Sequence, residues 1–217
     1  MEKGGVKMCM NCNSSCGFSS NNECENFGPF LAVDAACITP TPVTTGSIIP
    51  FSSGTATLMQ TLANGAIGAV SLVGFGSTVT GLALVGSDVN LTTGAFTEAF
   101  TVPRAGTVTS IAASFKVTLA IAAPGLPGST VVNARIYRAP AGSNVFSPTN
   151  VTVNLNPALT GIISAGIVLN GTSDNFAPLP VVAGDNLLMV FSITATGTAL
   201  SLAAEVQGTA TAGITID

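Results

Sequence analysis

The sequence predicts an all-β protein: an antiparallel β-sandwich of eight to ten strands over residues 47–217, preceded by an extended N-terminal arm over residues 1–46. Three observations predict it. From Ser47 onward, short apolar runs are broken by Gly, Pro and Asn about every ten residues, the spacing of sandwiches and barrels. Several of those runs alternate apolar and polar residues with period two, and none carries the 3.6-residue period of an amphipathic helix. The composition agrees, because Val, Ile and Thr abound beside 24 Gly while the helix formers Glu, Lys, Gln and Arg are scarce.

The arm holds all five cysteines, Cys9, Cys12, Cys16, Cys24 and Cys37, and leaves through ITPTPVTT. Proline disfavours helical backbone in the residue before it, so this exit reads as an extended linker. Within the β-region, TVTSIAASFKVTLAI (107–121) puts Ile111, Ala113, Phe115, Val117 and Leu119 on one face. Ser110, Ser114, Lys116 and Thr118 fall on the other, which describes a half-buried strand. TVVNARIYR sets Val132, Ala134 and Ile136 against Asn133, Arg135 and Tyr137, and VTVNL sets Val151, Val153 and Leu155 against Thr152 and Asn154. Further strands are expected in AVSLVGF, TVTGLALVG, AFTEAFTV, LLMVFSITA, LSLAAEV and AGITID, with turns at PRAG (103–106) and VAGDN (182–186). ALTGIISAGIVLNG (158–171) reads equally well as a short helix or a strand.

Charge and composition exclude several functions. Only 7% of residues are charged and the net charge is −4, which offers no basic surface for nucleic acid. No charge occurs between Asp34 and Asp88, yet Gly65, Gly68, Gly74, Gly76, Gly81 and Gly86 interrupt the apolar stretch and no Lys or Arg flanks it. A membrane span is therefore not expected. MEKGGVKMCMNC places Lys3 and Lys7 before no apolar run, so export is expected by a route other than a secretory signal peptide. A surface so poor in charge does little to keep neighbouring molecules apart, which favours self-association.

The sequence offers little for catalysis. It contains no histidine, removing the usual general base, the Ser/His and Cys/His pairs and every imidazole metal ligand. The carboxylates Asp88, Glu98, Asp174, Asp185, Glu205 and Asp217 stand singly, and Asp88, Asp174 and Asp185 read as turn residues bonded to nearby backbone. Asn90, Asn150 and Asn170 open glycosylation-like triplets at chance level for a Thr-rich chain. No catalytic, cofactor or metal residue is assigned in the β-region.

The thiols are the reactive groups that remain. Cys9 and Cys12 have a zinc-knuckle spacing, with Cys16 and Cys24 following, but no second close pair. Neither a strand nor a helix start flanks them as a thioredoxin-like dithiol requires. Disulfides fit better, and an odd total of five leaves at least one thiol free or paired with another molecule. Cys9, Cys12, Cys16, Cys24 and Cys37 are thus candidates for cross-links between subunits, with zinc binding as the alternative.

IIPFSSG (48–54), SLVGFG (71–76), FTVPRAGTVTSIAASF (100–115) and PVVAGDNLLMVFSITATG (180–197) resemble the carboxy-terminal domain of BclB-type exosporium glycoproteins. The likeness runs over residues 47–217 and implies a C1q/TNF-like jelly roll, non-catalytic and trimer-forming, on the outer surface of a bacterial spore. That family carries collagen-like Gly-X-Y repeats ahead of the domain, whereas residues 1–46 show no such period. The cysteine-rich arm in their place resembles disulfide-linked subunits of spore appendages. Two expectations follow: a structural subunit that assembles with itself into a fibre or layer, with other coat proteins as further partners, or a trimeric head displayed for adhesion, its arm holding zinc or anchoring it to the coat.

Overall fold

The computed structural model describes residues 46–93, 98–121, 128–160, 165–197 and 203–217. In these, all regular structure is β: β1 (Ser47–Ser52), β2 (Thr57–Thr61), β3 (Ile67–Val73), β4 (Thr78–Ala83), β5 (Val89–Asn90), β6 (Phe100–Thr101), β7 (Gly106–Ile121), β8 (Gly128–Ala139), β9 (Val145–Asn154), β10 (Leu159–Thr160), β11 (Val168–Ser173), β12 (Leu179–Val181), β13 (Asn186–Gly197) and β14 (Glu205–Ile216). Every pairing between these strands is antiparallel.

Eight principal strands carry the architecture. β1, β14, β7 and β11 lie side by side in one sheet, and β3, β13, β8 and β9 in the other. Counted along the chain, those are the first, eighth, third and sixth strands facing the second, seventh, fourth and fifth. This interleaving is the jelly roll. The shorter strands trim it: β4 extends the second sheet past β3, β12 lies on β7, β6 on β13, β10 on β8 and β5 on β9. β2 pairs with both β14 and β3, joining the two sheets along one corner. Pro50 lies in β1, an edge strand that pairs with β14 alone, where a missing N–H costs little.

The core fills the space between the sheets. Phe115, Ile111 and Val117 of β7 and Val206, Ala210 and Ile214 of β14 meet Val132, Ala134 and Ile136 of β8, Val151 and Val153 of β9, and Met189, Phe191 and Ile193 of β13. Phe115 and Phe191 touch across the layer with ring centroids 6.3 Å apart. A second apolar cluster lies on the outer side of the second sheet. There Val70, Leu72, Tyr137, Leu188 and Val190 are covered by Val79 and Leu82 of β4 and by Val89 and Leu91 beyond it. The run LLMVFSIT is therefore buried on both faces, and Tyr137, expected on a polar face, is 5% exposed.

Two further differences from the sequence reading have clear causes. Val117 pairs with Gly208 while Leu119 pairs with Gln207, so Thr118 is an extra residue in β7. A β-bulge of this kind reverses the alternation beyond it, and Leu119 is accordingly 52% exposed instead of inside. LSLAAEV and AGITID are not separate strands: Ala203 and Ala204 are irregular, and Glu205 onward forms the single strand β14. Of AFTEAFTV, Phe100–Thr101 is strand, Glu98, Ala99 and Val102 are irregular, and 95–97 lie outside the described residues. In the ambiguous 158–171 stretch, Leu159–Thr160 and Val168 onward are strand, with 161–164 outside the described residues.

The VAGDN turn shows how a charge is accommodated. Asp185 N–H donates to the Val182 carbonyl at 3.1 Å, and Gly184 takes φ +90°, a left-handed value that suits glycine. The Asp185 carboxylate accepts the Val182 N–H at 2.9 Å and pairs with Arg138 at 2.8 Å. The turn role expected of Asp185 is present, and the ion pair is an addition that its distance along the chain concealed.

Three stability predictions follow from the packing. Phe191→Ala empties a fully buried site between the sheets and is expected to cost about 3–5 kcal/mol in denaturant unfolding. Gly208→Val drives a Cβ into the Lys116 backbone carbonyl and to 2.6 Å from the Phe115 ring, and this overpacking is expected to cost at least about 1–3 kcal/mol, seen as a lower melting temperature. Asp185→Ala strips the partner from Arg138 and the acceptor from Val182, so it is expected to destabilise by about 1–3 kcal/mol, and Asp185→Asn, which keeps the acceptor, by less.

Candidate functional site

The cysteine candidates Cys9, Cys12, Cys16, Cys24 and Cys37 lie outside the described residues. The carboxylates of the β-region are scattered, as their spacing suggests. Asp88 closes the Val85–Asp88 turn with paired backbone hydrogen bonds, Glu205 accepts from Gln60 at 2.7 Å, and Asp217 accepts from Thr109 at 2.9 Å. Glu98 is buried, held at 3.3 Å by the Ser77 hydroxyl. Asp174 borders a hollow beside Ile48 and Thr215. Among the described residues, no three Cys, Asp or Glu side chains come together in a way that could hold a metal ion, and no helix is long and apolar enough to cross a membrane.

What the topology does assemble is a sheet face. In the first sheet the pleat sends alternate residues outward, and the register aligns them across four strands. Pro50, Gly213, Ala112 and Thr172 form one row, and Ser52, Thr211, Ser114 and Asn170 the next. Ile48, Thr215 and Ser110 continue the face on one side, with the Ser110 hydroxyl donating to Thr215 at 2.9 Å. Thr209, Lys116 and Val168 close the other side. Lys116 is the one charged side chain in these rows. The residues are small, so the surface is shallow and hollowed around Ala112, Gly171 and Gly213. Ile48 stands 75% exposed at its margin. A Cβ added at Gly213 would meet nothing nearer than 3.8 Å, so the hollow there is open space.

This face was only half visible in the sequence. Alternation in 107–121 marks Ser110 and Ser114 as outward, but nothing local says that Thr and Gly of 209–215 and Asn and Thr of 170–172 lie beside them. Away from Lys116 at its edge, such a small-residue sheet face can pack closely against another flat surface, because few long side chains have to be ordered and little charge desolvated. It carries no nucleophile, acid or base arrangement.

No family model matches the chain. The chain is 32% identical over 161 residues to Collagen-like protein 1 of Acanthamoeba polyphaga mimivirus, an alignment covering 70% of this chain and 17% of that protein. Among solved structures it is similar to the Eiger TNF of S. frugiperda, with a TM-score of 0.38 and 10% identity over 79% of this chain and 92% of that one. The jelly roll rests on the strand order itself, and the chain spans less than a fifth of the length of its curated relative.

Proposed function

We propose that the protein is a non-catalytic structural subunit that associates with copies of itself through the outer face of the β1-β14-β7-β11 sheet. The observation that carries this reading is the alignment of Pro50, Gly213, Ala112 and Thr172 with Ser52, Thr211, Ser114 and Asn170 into a flat face with almost no charge. In the finer form of the proposal, the subunits build a fibre or layer at a cell or spore surface of the exosporium kind. Cys9, Cys12, Cys16, Cys24 and Cys37 cross-link neighbouring subunits there. A disulfide between subunits would make such an assembly covalent, worth about 2–4 kcal/mol per bridge where it closes a loop.

A second reading is favoured by the similarity to a collagen-like protein. A head domain of a collagen-like protein suits a closed trimer displayed on a surface, with the N-terminal cysteines binding zinc or anchoring it. Closed and open assemblies differ only in whether repeated contacts return on themselves.

Light scattering on the size-fractionated native chain separates these outcomes. A mass well above 21.5 kDa is expected, three-fold for the head and larger and polydisperse for the fibre, and a monomer at all concentrations overturns both. Gly213→Glu sets a charge in the centre of the face without a steric clash, and is expected to return the protein to monomer with a melting temperature close to that of the dissociated wild type. On a denaturing gel of native material with thiols alkylated beforehand, a ladder that collapses to 21.5 kDa only with reductant is the expected sign of cross-linking. Monomer in both lanes removes the disulfide part.

A further inference from the structure

The outer side of the second sheet carries a polar pocket of about 170 Å³ that the self-association reading does not use. Its floor is set by register. Asn154 of β9, Asn133 of β8 and Ser192 of β13 form one row, and Arg135 lies in the next row between Thr152 and Val190. Tyr137 stands where the second apolar cluster ends, and Thr194 completes the wall. Ile67, which packs against the second apolar cluster, also lines the pocket, so a polar hollow abuts a dry patch.

Arg135 is the unusual member. Its Nε is buried and has no hydrogen-bond partner, and among the described residues its guanidinium makes no ion pair. Asn133, two positions before it in β8, is by contrast fully engaged: its amide donates to Thr152 at 2.9 Å and to Asn154 at 2.8 Å. That arrangement leaves the amide nitrogen of Asn154 and the hydroxyls of Ser192, Thr194 and Tyr137 without partners among the described residues. Burial pushes the Tyr137 phenol up, Arg135 pulls it down and Asp88 raises it, so the phenol is a neutral donor at physiological pH.

We propose that this pocket binds a small carboxylate, with Arg135 as its charged anchor. A guanidinium presents a planar fork that matches the two oxygens of a carboxylate. An unpaired buried donor on such a group is costly unless a ligand or water satisfies it. The free hydroxyls and the Asn154 amide then suit a ligand carrying hydroxyl groups beside its carboxylate. The volume lies below the ~300–1,000 Å³ of sites for drug-sized molecules, which limits the occupant to a single small acid or one acidic sugar ring. The inference does not rest on self-association, since the pocket lies on the other sheet.

The sequence supplies the probe. Tyr137 is the one tyrosine in the chain and there is no tryptophan, so tyrosine emission reports on this pocket alone. The full chain is titrated with sodium D-glucuronate and with sodium acetate at constant ionic strength, using sodium chloride as the blank. A saturable change in emission with glucuronate, acetate or both is expected, and the tighter of the two identifies a hydroxylated or a bare carboxylate as the source. Arg135→Lys keeps the charge but loses the fork, and is expected to weaken binding by about tenfold or more. Asn154→Ala, at an exposed position, is expected to weaken glucuronate binding with folding unchanged. No saturable response to either acid, or an equal response in folded Arg135→Lys and wild type, overturns the proposal.

Discussion

The placement of β14 is the constraint on which the structure depends. This strand, the last in sequence order, lies in the middle of its sheet, with β7 along one side and β2 and then β1 along the other. β13, the long strand before it, has the same position in the second sheet, between β3 and β8. Each sheet therefore acquires its centre only after most of the chain is in place, and Ser47 finds its partner in Ile216. Loop-closure entropy has to be overcome before such distant pairings are rewarded, which makes this a slow class of fold. The inward residues of β13 and β14 then lock the sandwich, since Phe191 and Ala210 fill opposite walls of one core.

Local alternation made much of the interior legible. Ile111, Ala113, Phe115 and Val117 are inside, as are Val132, Ala134 and Ile136 and the Val151, Val153, Leu155 series, because a strand with one buried face has to alternate. The failures have non-local causes. Leu119 lies outside because a bulge opposite Gln207 and Gly208 shifts the phase, and no residue in 107–121 announces it. Tyr137 lies inside because β4 and the chain beyond it fold over the second sheet, a layer that the period of β8 cannot reveal. The strand order was beyond the reach of pattern alone, and so were the flat face and the polar pocket, which are built from rows contributed by three or four strands.

The scarcity of charge acquires a spatial meaning. Arg138 and Asp185 satisfy each other at a turn, Lys116 borders the flat face, and Arg135 stands in a hollow rich in hydroxyls and amides. One sheet thus presents a surface suited to contact over a broad area, and the other a small recess suited to a single charged group. The two lie on opposite outer sides of the sandwich, so occupation of one leaves the other uncovered.

Ser47 and Ile216 face each other at one end of the β1–β14 ladder. Tension applied between Gly46 and Asp217 would load the hydrogen bonds of this ladder one after another, starting at that end, as a zipper opens. Tension entering at Gly46 and leaving through the broad face would instead pull β1 against contacts spread over the whole sheet. The same strand thus yields readily to the first pull and resists the second, so the fold's resistance to force depends on where it is held.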